Sequence, residues 1–182
     1  MFRLSMSLFA VALVCALTLA LIYQKTAPVI ERQKQMLLER SLQSVLAAES
    51  YQKHEGDILY YEAKNDKDKL IGWALPLSGK GYGGNIQLLV GVDIKENITG
   101  IRVLEHKETP GLGSKINEIE YKQTEPKFLK QFQAKNIQDI VLVKGKTDKN
   151  IQAITGATIS SKAVVEGVRL GVEKFLKTRQ VK

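Results

Sequence analysis

The chain has one cysteine, Cys15, and two histidines, His54 and His106, among its 182 residues. A lone thiol excludes an intramolecular disulfide, a cysteine-ligated zinc site and an iron–sulfur cluster. Neither histidine has a second nitrogen or thiolate ligand near it in sequence, so no metal centre is expected and any redox chemistry needs an organic cofactor. No serine sits in a GxSxG elbow, which removes a familiar hydrolase apparatus; no catalytic residue is assigned. Gly79, Gly81 and Gly84 satisfy GxGxxG, yet residues 85–92 read as a strand where a dinucleotide fold needs a helix. Gly145-Lys146-Thr147 looks like the end of a phosphate-binding loop, but the first glycine of that motif would fall on Ile140. The six Tyr and five Phe do not alternate with the 27 Lys and Arg, which are mixed with 19 acids. The net charge of +8 therefore describes a solvated surface, and no nucleic-acid partner is expected.

Hydrophobic residues make up 44% of the chain and charged residues 25%, enough apolar material for one core of ordinary size. Residues 6–23 carry no charge. A helix of about 18 residues rises about 27 Å, close to the ~30 Å hydrocarbon core of a bilayer. A membrane anchor is the leading reading and a cleaved signal peptide the competing one, since Ala16 and Ala20 lie late in the run. Arg3 precedes the run while Lys25, Arg32 and Lys34 follow it, so a positive-inside count leans against an exported domain. Beyond it, Thr26 can cap and Pro28 can occupy a first helical turn, with Ile30, Leu37, Leu38, Leu42 and Val45 forming an apolar stripe; residues 28–48 are expected to form a helical stalk.

From about Tyr51 the hydrophobic period changes. Residues 58–63, 70–77, 86–92 and 98–104 are short β-rich runs with brief polar or glycine links, a pattern that predicts an antiparallel meander. A looser, partly helical stretch is expected over 115–133, another strand over 140–143, and a closing helix over 161–177 that buries Val164, Val165, Val168, Val172, Phe175 and Leu176. The expected class is α+β: a transmembrane anchor over 1–24, a helical stalk over 25–50 and a domain containing an antiparallel sheet over 51–182.

Two segments carry chemistry. Thr155-Gly156-Ala157-Thr158-Ile159-Ser160-Ser161 precedes the closing helix, whose unpaired N–H groups and positive dipole end favour an anion. The hydroxyls of Thr155, Thr158, Ser160 and Ser161 offer further donors. A phosphate-bearing ligand and an ordinary serine cap fit this segment equally well. In Thr109-Pro110-Gly111-Leu112-Gly113, Pro110 stiffens a loop whose glycines permit close approach to a flat ring with Leu112 as apolar contact; a simple tight turn fits as well.

Taken in order, Tyr82-Gly83-Gly84, Glu108-Thr109-Pro110-Gly111-Leu112-Gly113 and Thr155-Gly156-Ala157-Thr158 before a terminal helix resemble the FMN-binding domain of the G subunit of the Rnf electron transport complex. The C subunit of sodium-translocating NADH:quinone oxidoreductase is similar and belongs to the same wider family. The resemblance covers nearly the whole chain. It implies FMN joined covalently through its phosphate to the Thr158 hydroxyl by a separate flavin transferase, with Thr155, Gly156 and Ala157 completing that motif. It also implies Thr109, Pro110, Gly111, Leu112 and Gly113 near the flavin ring, with Tyr82, Gly83 and Gly84 packing beside it. The family usually has aspartate three residues before the motif's first Ser or Thr; this chain has Gln152, with Asp148 out of register. The implied function is an electron-carrying subunit of an ion-translocating ferredoxin:NAD oxidoreductase in the bacterial cytoplasmic membrane, its flavin domain extracytoplasmic and its partners the other subunits and the lipid bilayer. The C-type subunit and a membrane-anchored flavin redox sensor are the alternatives.

Overall fold

The computed structural model describes residues 2–145, 147 and 149–180. Lys146 and Asp148, noted in the sequence, lie outside the described residues. The chain divides into two compact units, Met1–Glu39 and Arg40–Lys182.

The first unit consists of helix. Helix α1 spans Phe2–Val45 without a break, so the new helix start read near Thr26 and Pro28 does not occur. Thr26 is no cap: its hydroxyl donates back to the Ile22 carbonyl at 2.9 Å inside the helix. Pro28 removes one amide donor, and the helix continues past it. Its apolar portion is solvent-exposed and long enough to cross a membrane.

The second unit is built on a five-stranded antiparallel meander, β1 Ser50–His54, β2 Tyr60–Lys64, β3 Leu70–Lys80, β4 Asn85–Asp93 and β5 Ile98–Glu105, paired in sequence order. In the register, Trp73 faces Val92 and Leu75 faces Val90. These side chains form the buried core with Ile86, Leu88, Val103, Phe128 and Phe132. Against this face lies α3, Thr158–Gln180, burying Val164, Val165, Val168, Val172 and Phe175, with Leu176 partly buried. The approach is close because glycines meet backbone. A Cβ on Gly167 would lie 3.0 Å from the Ser78 carbonyl oxygen, and one on Gly79 would lie 2.6 Å from the carbonyl carbon of Ala163. That contact fixes the start of α3 beside the end of β3.

The opposite face carries Ala74, Gly91 and Gly100, aligned by the register. The final turn of α1 occupies this notch: Leu42, Val45 and Leu46 are buried, a Cβ on Gly100 would lie 3.0 Å from Val45 Cα, and the Thr99 hydroxyl donates to the Val45 carbonyl. Between β5 and α3 run a 3-10 turn at Gly113–Asn117, the one-turn helix α2 at Lys127–Lys130 and the parallel pair β6 Leu142–Val143 with β7 Ile151–Gln152. The strand expected over 140–143 is thus confined to its last two residues, after a 3-10 turn at Ile137–Asp139.

Candidate functional site

Two turns of the same design frame the site. In Thr109–Leu112 the Leu112 N–H donates to the Thr109 carbonyl at 3.2 Å, with Pro110 in the second position and Gly111 at φ +75° in the third. In Ile154–Ala157 the Ala157 N–H donates to the Ile154 carbonyl at 3.0 Å, with Gly156 at φ +79° in the third position. A left-handed third residue is the type II pattern, which favours glycine. The turns lie together: a Cβ on Gly156 would stand 3.6 Å from Leu112 Cδ2. Ser114 braces the first turn, its hydroxyl oxygen accepting the Gly111 N–H at 2.9 Å.

The second turn delivers the chain into α3, which starts three residues before the expected Ser161. The first intrahelical bond runs from Ser161 N–H to the Ala157 carbonyl at 2.9 Å. The amides of Thr158, Ile159 and Ser160 therefore have no partner within the helix, and they stand at the positive end of its dipole. The hydroxyls here are placed differently from one another. Ser161 is buried, donating to the Ala157 carbonyl at 2.9 Å and accepting the Ile154 N–H at 3.0 Å, so it serves the turn and not a ligand. Ser160 is also buried and donates to Glu108 Oε2. Thr155 and Thr158 are exposed.

Glu108 holds the parts together. It is only 5% exposed, and while Oε2 accepts the Ser160 hydroxyl, Oε1 accepts the Gly83 N–H at 2.9 Å. Gly83 belongs to the loop joining β3 to β4, closed by a Gly81 N–H to Gly84 carbonyl bond of 2.8 Å. A Cβ on Gly81 would lie 3.0 Å from the Glu108 carboxyl carbon, and one on Gly113 would lie 2.9 Å from Glu108 Cβ. The three segments singled out in sequence thus converge on one carboxylate. Sequence reasoning places Glu108 in a motif but gives it no role; its neighbours Gly81, Gly83 and Gly113, all without side chains, are the available signal.

Between these segments lies an open cavity of about 570 Å³, lined by Tyr82, Glu108, Thr109, Leu112, Gly113, Gly156, Ala157, Thr158, Ile159 and Ser160. Of the expected residues, Thr155, Ser161, Pro110, Gly111, Gly83 and Gly84 are not part of this lining, while Glu108 and Ile159 are additions to it. The volume is that of a small-molecule site. Tyr82, Leu112 and Ile159 supply apolar surface, 75%, 49% and 54% exposed respectively, and the free amides of α3 supply donors for an anion. A flat apolar ring bearing a phosphate, as in FMN, fits both properties. Gln152, in β7, has its amide N–H held at 2.7 Å by the Gln131 side chain.

Residues 81–173 match the family described as FMN-binding domain, and residues 1–45 match the RnfG N-terminal region. The chain is 35% identical, over 95% of its length and 90% of the relative's, to the G subunit of the proton-translocating ferredoxin:NAD(+) oxidoreductase complex of Clostridium ljungdahlii. It is 31% identical to the Na(+)-translocating counterpart of Acetobacterium woodii, over 96% of this chain and 91% of that one. Among solved structures, NqrC of Shewanella oneidensis superposes with a TM-score of 0.56 at 22% identity, covering 78% of this chain and 74% of the other, a likeness of fold.

Proposed function

The chain belongs to the family of G subunits of ion-translocating Rnf oxidoreductase complexes, and on that premise we propose that it carries FMN covalently on Thr158 and relays electrons within such a complex. The observation that carries this reading is the convergence of three separate segments on one cavity at the start of α3, with an exposed threonine at the first helical position.

In this reading each residue has a defined task. Thr158 Oγ1 forms a bond to the phosphorus of a flavin dinucleotide donor on the transferase; the donor's pyrophosphate bond breaks, a nucleotide monophosphate leaves, and the hydroxyl proton is released. The amides of Thr158, Ile159 and Ser160 stabilise the remaining negative charge of the diester. Leu112, Ile159 and Tyr82 offer apolar contact to the ring, and Gly113 and Gly156 admit it without side-chain obstruction. Bound flavin supplies one- and two-electron exchange, and the protein's part is to orient it and tune its surroundings.

Helix α1 holds the domain at the bilayer, with the flavin domain extracytoplasmic. The other subunits of the complex supply and accept the electrons; by its relatives' names, the whole couples ferredoxin and NAD chemistry to H⁺ or Na⁺ movement. This chain alone does not turn over those substrates. Relatives aligned over about nine-tenths of both chains are G subunits, which favours this reading over a C-type subunit or a redox sensor. The test is the visible spectrum of protein made with a flavin transferase and extracted from membranes. Wild type should show flavin absorbance that bleaches with dithionite and survives denaturation with the polypeptide, while Thr158→Ala should be colourless; colour retained equally by both would reject the site.

A further inference from the structure

We propose that this cavity discriminates against free FMN, with Glu108 as the discriminating group, so that the flavin is held only once its phosphate has become a diester. The inference rests on the FMN reading above and adds a charge rule to it. Among the described residues, the lining carries one carboxylate and no lysine or arginine. Phosphate sites ordinarily match charge with charge. Among the described residues, the two groups bound to the Glu108 carboxylate, the Gly83 amide and the Ser160 hydroxyl, are both neutral dipoles, and no cation pairs with it. Lys162, one turn along α3 from Thr158, is exposed, pairs with Glu166 at 3.6 Å and is not part of the lining.

A phosphomonoester carries about −1.5 to −2 near neutral pH. A helix start offers roughly +0.5 of an elementary charge. That favours a monoanion, but a second negative charge beside a buried carboxylate is opposed by several RT at the short range set by the Ser160 link. Attachment to Thr158 removes that second charge. Unmodified chain therefore does not fill with FMN from its surroundings, and Thr158 stays open to the transferase.

The full-length chain, made without a flavin transferase and held in detergent near neutral pH, is titrated by flavin fluorescence quenching with three probes. These are riboflavin, which is neutral, riboflavin cyclic phosphate, a monoanion, and FMN, largely a dianion. The expected order is FMN weaker than the cyclic phosphate by about tenfold or more. Glu108→Gln, which keeps the shape, should shrink that gap to about threefold or less. FMN bound as tightly as the cyclic phosphate by wild type overturns the proposal, as does a gap unaltered in folded Glu108→Gln or failure of all three probes to bind. Should Glu108→Gln fail to fold, the wild-type order decides. Loss of the covalent reading would appear separately, as unmodified Thr158 in protein made with the transferase.

Discussion

Glu108 and Ser160 are joined side chain to side chain, the carboxylate oxygen accepting the serine hydroxyl, although 52 positions separate them. The same carboxylate holds the Gly83 amide at 2.9 Å. One residue thereby sets the spacing between the β3–β4 loop and the start of α3, which are two walls of the cavity.

Glu108→Ala should leave the buried Ser160 hydroxyl without its partner and release the Gly83 amide of the exposed β3–β4 loop. Such losses cost about 1–3 kcal/mol. Thermal unfolding of the full chain in detergent should show a lower midpoint, and covalent flavin incorporation should fall with it. An unchanged midpoint would mean that the loops are held elsewhere.

Gly79→Ala tests the packing of α3 on β3. Its Cβ would meet the Ala163 backbone, 2.6 Å from the carbonyl carbon, with no flexible atom to yield. Overpacking of this kind costs about 1–3 kcal/mol and displaces the helix. Gly156→Ala would make only ordinary contact, 3.6 Å from Leu112 Cδ2, but sits at φ +79°; its cost should be about 1 kcal/mol, from backbone strain. Chemical denaturation of both variants beside wild type measures the difference.

The sheet-bearing unit begins at Arg40. A chain shortened to residues 36–182 should fold, whereas one shortened to 51–182 loses Leu42, Val45 and Leu46 from the notch at Gly91 and Gly100. Each of those side chains contributes roughly 1.5–3 kcal/mol of burial. Circular dichroism melts of the two fragments should differ by many degrees; equal melts would show that the notch does not need its helix turn.

Tyr51 donates its phenol to the Leu46 carbonyl at 2.6 Å and accepts the Ala48 amide at 3.2 Å. Burial pushes its pKa above the ordinary 10.0, only partly offset by the Ala48 amide. A raised value in the folded state means that the neutral phenol is favoured by folding. The stability it adds is complete below the ordinary value and is lost as pH rises through the higher one. Wild type should therefore lose more stability than Tyr51→Phe above pH 10.0, read from thermal midpoints across the alkaline range.

Much of this architecture is legible in the sequence because hydrophobic period and turn chemistry are local. The β3, β4 and β5 runs alternate or are continuously apolar, and Thr109-Pro110-Gly111 and Thr155-Gly156 carry type II turn residues in place. Strand β1, Ser-Tyr-Gln-Lys-His, escapes such a reading because an edge strand with largely exposed side chains has no apolar alternation. The start of α3 reads late since Thr158, Ser160 and Ser161 are typical loop residues, and only in the fold do the hydroxyls of Ser160 and Ser161 find partners. The helix start read at Thr26 and Pro28 does not occur because one missing amide does not stop a helix already formed on both sides. The role of Glu108 is hidden for a different reason: burial of a lone acid depends on partners 25 and 52 positions away.

The most direct test is the mass of intact, denatured polypeptide made alongside a flavin transferase. Wild type should gain the mass of one FMN group in place of a hydroxyl hydrogen, fragmentation should locate it on Thr158, and Thr158→Ala should remain at the mass of the bare chain. A wild-type chain of unmodified mass, or a flavin retained in full by Thr158→Ala, would contradict the account.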